Sequence, residues 1–298
     1  MPPDRPPKKR ARYSADLDPE PSHDLEPNHD LHTHHPSPPR QLRESTTLDE
    51  LYALRDIPSD EIEATGVSGF THLRCPGTQR RCECGRLYCH INSLIVAVDG
   101  ACPGNGSPKA IRSACGVFLG DPLNAYDDSY DPGLLPKNWA WRVPNAPGHA
   151  HTSQRAELHA AVGGLRAAKA FVQSGGQWPC DPATCPQPCR VNDVVVKSDS
   201  AYLVNGASRL LQKWQGNGWL TASGTAVKNR DLWEALAERR EELKGLGAEV
   251  EFWLVPRERN RQADALANEG LTSGMWLGED GPEVIEREWE FVGGGLDL

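Results

Sequence analysis

LIVAVDGACPGNG, residues 94–106, is the stretch whose reading decides the fold. Leu94 to Val98 is an unbroken apolar run rich in β-branched residues, the pattern of a strand buried on both faces. Asp99 closes the run, and Gly100, Gly104 and Gly106 follow it. The glycines fit a tight turn and would let a nucleic-acid backbone approach closely. The same device recurs in VVVKSDSAYLVNG, residues 194–206, where a buried strand leads to Asp199 and a helix opens behind it. Position alone also allows Asp199 to be a helix N-cap.

Working outward, SACGVFLG (113–120) reads as the hairpin partner of the first strand and NWAWRVP (138–144) as a third. A long polar loop rich in turn residues joins them. From Ser153 to Val172 the positions Ala156, Ala160, Leu165 and Ala168 make one apolar helical face. VNDVVVKS (191–198) is strand-like, SAYLVNGASRLLQKW and RDLWEALAERREELK are helical, and EVEFWLVP (249–256) is a strand stopped by Pro256. NRQADALANEGL (260–271) is a last helix. The order predicts an α/β fold: a mixed sheet of about five strands, the first three antiparallel, flanked by helices.

Four domains of composition are expected: a disordered tail (1–45), a cysteine-containing extension (46–92), a catalytic unit (93–271) and an acidic, Gly-rich tail (272–298). With 25 prolines and 28 glycines in 298 residues, part of the chain is expected to lack structure. PPKKRARY (6–13) is the tail's dense basic cluster and reads as a nuclear localisation signal, a nucleic-acid patch or a solvated charge run. The nucleus is therefore the expected location, otherwise the cytoplasm. HDLHTHH (29–35) reads as a solvated, biased segment. The net charge of −9 argues against a general nucleic-acid coat protein but leaves room for an enzyme with local contacts. No apolar run approaches the ~20 residues of a membrane span, and no secretory signal is visible.

Two more acids complete a set. Glu157 lies in TSQRAELHAA (152–161), behind the polar group Thr152-Ser153-Gln154, and Asp264 lies between alanines in RERNRQADALANEG (257–270). Singly, Glu157 reads as a solvated helix acid. Asp264, on a packing face, is costly unless paired or bound to metal. Together, Asp99, Glu157, Asp199 and Asp264 at one sheet edge would form a hard, oxygen-lined site suited to Mg²⁺ or Mn²⁺ rather than zinc.

VDGACPGNG, TSQRAELHAA, KSDSAYLVNG, GW…VKNRDLW and ERNRQADALAN, in that order, resemble type 1 ribonuclease H, over roughly residues 93–271. The resemblance implies an endoribonuclease that cuts the RNA strand of RNA·DNA hybrids. In that reading Asp99, Glu157, Asp199 and Asp264 bind two Mg²⁺ ions, with Mn²⁺ as an alternative, and Asp99 bridges them. In-line hydrolysis would leave a 5′-phosphate and a 3′-hydroxyl. By the same resemblance Gly100, Asn105, Ser153 and Gln154 meet the hybrid in its minor groove, where the 2′-hydroxyl is read. Ser153 stands where many members carry Asn. Thr152 and Asn229 match a pocket for a DNA phosphate. Trp214 and Trp219 belong to a region near the DNA strand, with core packing as the other reading. A monomer is expected, with no membrane partner.

The chain departs from the family's pattern in places. Many members carry a mobile histidine in the loop before the last carboxylate helix, where this chain reads WLVPRERNRQAD. It resembles a short-loop subgroup that lacks this residue, in which Arg257 or Glu258 could substitute or merely cap the turn. Activity is expected, slower or more tolerant of Mn²⁺. The basic handle is thin, with Lys213 and Lys228 only, so hybrid binding should be weak and salt-sensitive. No N-terminal hybrid-binding module is recognisable. Nine cysteines without secretory context argue against disulfides. Cys75, Cys82, Cys84 and Cys89, with His90, fit one tetrahedral Zn²⁺ or a set of reduced thiols. Cys180, Cys185 and Cys189 are one ligand short alone, and Cys102 and Cys115 read as packing residues. Three other readings stay open: a scaffold that binds hybrids without cutting, a retroelement-derived domain, and a structure-specific DNA nuclease on the same fold.

Overall fold

The computed structural model describes residues 47–53, 56–66, 69–74, 93–121, 138–174, 177–178 and 189–272. The expectations for both tails, for Cys75, Cys82, Cys84 and Cys89, and for Cys180 and Cys185 fall outside these residues. In chain order the elements are α1 (Leu48–Ala53), β1 (Glu63–Thr65), β2 (Thr71–Leu73), β3 (Ser93–Ala101), β4 (Ala114–Phe118), β5 (Trp139–Arg142) and α2 (Ser153–Gln173). There follow β6 (Gln177–Trp178), β7 (Cys189–Arg190), β8 (Asp193–Ser198), α3 (Ala201–Asn205), a π-helical turn (Gly206–Leu210) and α4 (Leu211–Gly216). The last are α5 (Arg230–Gly245), β9 (Glu249–Leu254), a 3-10 turn (Arg257–Arg259) and α6 (Arg261–Thr272).

The main sheet runs β5-β4-β3-β8-β9. Strands β5, β4 and β3 are antiparallel, while β8 is parallel to β3 and β9 to β8. This is the mixed five-stranded sheet that the order of strands and helices predicts. The hairpins β1–β2 and β6–β7 were not foreseen. Strands of two or three residues are too short to show a period of two.

Strand β3 is central, and alternation along it separates two faces. Leu94, Val96 and Val98 join Val194, Val196 and Val250 in a core under α2 and α5. Two glycines let α2 come close. A Cβ on Gly164 would stand 2.8 Å from Val96 Cγ1 and 2.9 Å from Val98 Cγ1. One on Gly163 would stand 2.5 Å from the Trp141 ring. On the other face α6 packs over β4, β3 and β5. Beside it, Ile95, Val195, Trp253 and Val255 are buried with Tyr52 and Ile62 from the N-terminal segment. The extension, expected only as a lead-in, thus closes the half of this face that α6 leaves open.

Trp219 is 8% exposed and belongs to the core, so packing is the correct reading for it. Trp214 is partly buried and meets the edge of Trp233, with ring centroids 5.3 Å apart. Among the described residues, no helix is long and apolar enough to cross a membrane.

Candidate active site

Asp99 lies near the end of β3, opposite Gly116 of β4, and is 4% exposed. Residues paired across strands point to the same face, so Asp99 points toward the face on which α6 lies. Gly116 makes that arrangement possible. A Cβ there would stand 2.3 Å from the Ala263 carbonyl and 2.5 Å from the Ala267 nitrogen, so α6 rests on bare backbone. The close approach sets Asp264, in the first turn of α6, beside the end of β3.

Gly100 plays the equivalent part on the α2 face. A Cβ on it would stand 2.3 Å from Glu157 N and 2.5 Å from the Ala156 carbonyl carbon. The close approach that this glycine permits within the chain is that of helix α2. Cys115, opposite Gly100 in β4, donates from Sγ to the Ala156 carbonyl at 3.3 Å. The first turn of α2 is held by Thr152, whose hydroxyl accepts from Arg155 N at 3.1 Å. Glu157 therefore comes beside Asp99, and the two carboxyls act on each other. Glu157 is not the solvated helix acid that its position alone allowed.

Asp199 follows β8 directly. The helix cap behind it is Ser200, whose hydroxyl accepts from Leu203 N at 3.3 Å. That frees the Asp199 carboxylate, which accepts from Asn260 Nδ2 at 3.1 Å. Asn260 is fully buried and donates from the same nitrogen to the Val98 carbonyl at 3.0 Å. Asp264 accepts from Arg257 and, at 3.2 Å, from Asn268 Nδ2.

The charges of these acids act on one another. Burial pushes the Asp99 carboxyl up to about 6, with the charges of Asp199 and Asp264 adding to the shift. Burial pushes Glu157 further, to about 9, and Asp99 and Asp199 again add to it. Arg257 is the opposing charge: it binds Asp264, stands 3.6 Å from Asp199 Oδ2, and favours the ionised forms of Asp99 and Glu157. The expectation that Arg257 merely caps the turn is too small a role for it.

The donor set is all oxygen, as a hard divalent cation requires. Glu157 Oε2 is buried and makes no hydrogen bond, which leaves it a free lone pair at the site. These features fit a cation. Among the described residues no group of three or more acids, histidines or cysteines is arranged to hold a metal ion as the side chains stand. Arg257, rather than a preformed cage, balances the acids in this arrangement.

A second group gathers at the N-terminus of α2. Asn105 Oδ1 accepts from Ser153 N at 3.0 Å, and Gln154 is exposed beside it. Arg155, 6% exposed, makes paired bonds of 3.0 and 2.7 Å to Asp231 and a 3.4 Å bond to Asn229 Oδ1. Asn229 adopts the left-handed conformation (φ 57°) and donates to the Tyr202 hydroxyl at 3.2 Å. Arg155 thus links Thr152 to Asn229 across two helices. The bonds from Arg155 hold the Asp231 carboxyl below its usual range. Burial beside Arg155 drives His159 down to about 4.

The family model for RNase H matches residues 92–272. The chain belongs to the RNase H family. Ribonuclease H1 of Mus musculus is 31% identical over 182 residues, 60% of this chain and 50% of the mouse protein. Ribonuclease H of Crithidia fasciculata is 32% identical over 170 residues, 53% of this chain and 31% of that protein. Ribonuclease H of Paracoccus denitrificans is 30% identical over 187 residues, 61% of this chain and 94% of the bacterial protein. The chain spans about half the length of the mammalian relatives. Within this RNase H chain, sequence reasoning missed Asn260, Asn268 and the Arg155–Asp231 pair. Asn260 stood in the quoted ERNRQAD stretch, but polar residues before a helix are ordinarily caps. Arg155 and Asp231 are 76 positions apart, and only the packing of α2 on α5 brings them together.

Proposed function

We propose that this chain hydrolyses the RNA strand of RNA·DNA hybrids, using two divalent cations, Mg²⁺ or Mn²⁺, held by Asp99, Glu157, Asp199 and Asp264. The observation that carries the reading is the gathering of buried Asp99 and half-buried Glu157, whose Oε2 is enclosed, with two further acids at one end of the sheet. Buried, mutually repelling carboxylates are costly unless a cation is due there. When bound, the ions supply an activated water and a Lewis acid for the departing 3′ oxygen.

The chain's own residues do the rest. Asp99, coupled to Glu157, Asp199 and Asp264, would be the acid shared by both ions. Asn260 fixes the rotamer of Asp199. Glu157, whose proton is held to about 9, would have to be deprotonated to serve as a ligand, so cation binding would release protons and tighten with rising pH. Gly100, Asn105, Ser153 and Gln154 line the approach to the minor groove, where a 2′-hydroxyl distinguishes RNA. Thr152 and Asn229, organised by Arg155, receive a phosphate of the DNA strand, and Trp214 flanks the same strand. The products are a 5′-phosphate and a 3′-hydroxyl. The basic cluster at residues 6–13 directs the chain to the nucleus, and the chain acts as a monomer.

The test is cleavage of labelled RNA·DNA, RNA·RNA and DNA·DNA duplexes in Mg²⁺ and in Mn²⁺. Cutting confined to the RNA of the hybrid is the expected result. Cutting of DNA duplexes would point to a structure-specific nuclease, and tight binding without cutting to a hybrid-binding scaffold.

A further inference from the structure

The N-terminal segment 47–74 precedes the residues matched to the family, 92–272, yet it joins the sheet face that carries the acids. By alternation, Ile95 and Asp99 share this face of β3, and Val195 and Lys197 share it along β8, which Asp199 follows directly. Ile95 and Val195 are covered by Tyr52 and Ile62. Lys197, 4% exposed, donates to Glu63 Oε2 at 2.7 Å. Glu63 Oε1 stands 3.5 Å from Arg259 Nη2. Arg259 Nη1 donates to Asp49 Oδ1 at 3.2 Å, and Asp49 Oδ2 accepts from Trp253 Nε1 at 2.7 Å. The Arg259 guanidinium lies over the Trp253 ring, 4.6 Å from its centroid.

Glu63 of the N-terminal segment therefore stands between Lys197 and Arg259, and Asp49 of the same segment holds Arg259 from a second side, beside Trp253. Lys197 is two residues before Asp199, and Arg259 adjoins Asn260, which holds Asp199 and the Val98 carbonyl. We propose that Asp49 and Glu63 are positioning residues for the metal site, acting through Arg259 and Lys197 on the loop 257–260 and the end of β8. Both cations are largely buried, and such charges stay in place only beside a partner. The turn they anchor is short, closed by Arg259 N on the Pro256 carbonyl at 2.9 Å and Asn260 N on the Arg257 carbonyl at 3.0 Å. Release of Arg259 loosens both neighbours at once: Arg257, on Asp199 and Asp264, and Asn260, on Asp199. The segment is thus part of the site's support as well as a cover for Ile95 and Val195.

The inference rests on the proposed function for its cleavage readout but not for its binding readout. In the full chain, Asp49→Asn, Glu63→Gln and the charge-keeping Asp49→Glu are compared with Leu73→Ala, which trims an apolar contact of the same segment. Mn²⁺ affinity is measured by calorimetry without substrate, kcat and KM on an RNA·DNA hybrid, and folding by thermal melting. Asp49→Asn and Glu63→Gln are expected to weaken Mn²⁺ binding about 10-fold, the scale for outer partners of a metal site. They should lower kcat with little change in KM, and Asp49→Glu should restore most of the affinity. Leu73→Ala should lower the melting temperature and leave metal affinity unchanged. If Asp49→Asn and Glu63→Gln behave like Leu73→Ala, the segment is only a cover and the inference is overturned. Should Glu63→Gln fail to fold, the more exposed Asp49→Asn decides. A wild-type chain that binds Mn²⁺ but leaves hybrids uncut overturns the proposed function alone, since the affinities still decide the positioning role. A wild-type chain that binds no Mn²⁺ overturns both.

Discussion

At the scale of single residues, Glu157 and Arg257 oppose each other. The folded chain holds the Glu157 proton up to about pH 9, whereas the ordinary value is 4.5. A group whose folded value is raised favours the folded state at low pH and loses that contribution as pH climbs between the two values. Metal-free protein should therefore lose stability from about pH 4.5 toward pH 9. Glu157→Gln has no proton to lose, so in chelator it should exceed the wild type by about 1 kcal/mol or more at pH 8. At pH 4 the two should match in denaturant unfolding. Arg257 supplies positive charge that a bound cation would replace. Arg257→Ala should lower the unfolding free energy of metal-free protein modestly, by up to about 1 kcal/mol, as its side chain is well exposed. Saturating Mn²⁺ should erase that difference, and a loss of equal size with and without Mn²⁺ would refute the assignment.

At the scale of elements, two glycines set the site's geometry. Gly116→Val would drive a side chain into the backbone of α6 at Ala263 and Ala267. Overpacking of this kind costs about 1–3 kcal/mol, and here it also moves Asp264 from Asp99. Cleavage should fall more than stability explains, as seen in kcat measured well below the melting temperature. The strands and helices were readable because LIVAV, DVVVKS and the alanine-rich face of α2 carry strong patterns. The assignment of faces was not readable. A strand apolar on both sides, as at Leu94–Val98, does not say which side meets α2, so Gly100 and Gly116 gave no sign of which helix each admits. The four acids were legible from their flanking residues, while Asn260 and Arg155 act through contacts formed only in the folded chain. The histidine-free loop was legible as a departure. The contact of Arg257 in that loop with Asp199 and Asp264 came from the turn's geometry.

At the scale of the whole molecule, the family-matched unit and the N-terminal segment share one sheet face, and the segment's acids reach Lys197 and Arg259 beside the candidate site. Short strands and single charged residues carry no signal of such a role, which is why the segment read as a lead-in. On the proposed function, the net charge of −9 would leave the recognition of nucleic acid to local groups at the α2 N-terminus and to cations held by the acids. Cation, acids and substrate therefore stand or fall together. The most direct measurement is cleavage of an RNA·DNA hybrid labelled on the RNA strand, in Mg²⁺, by wild type and by Asp99→Asn. Wild type should cut the RNA to 5′-phosphate-ended fragments, while Asp99→Asn binds the hybrid and cuts at least about 10³-fold more slowly, the scale of losing a group central to transition-state stabilisation. Equal cleavage by the two proteins would contradict the account.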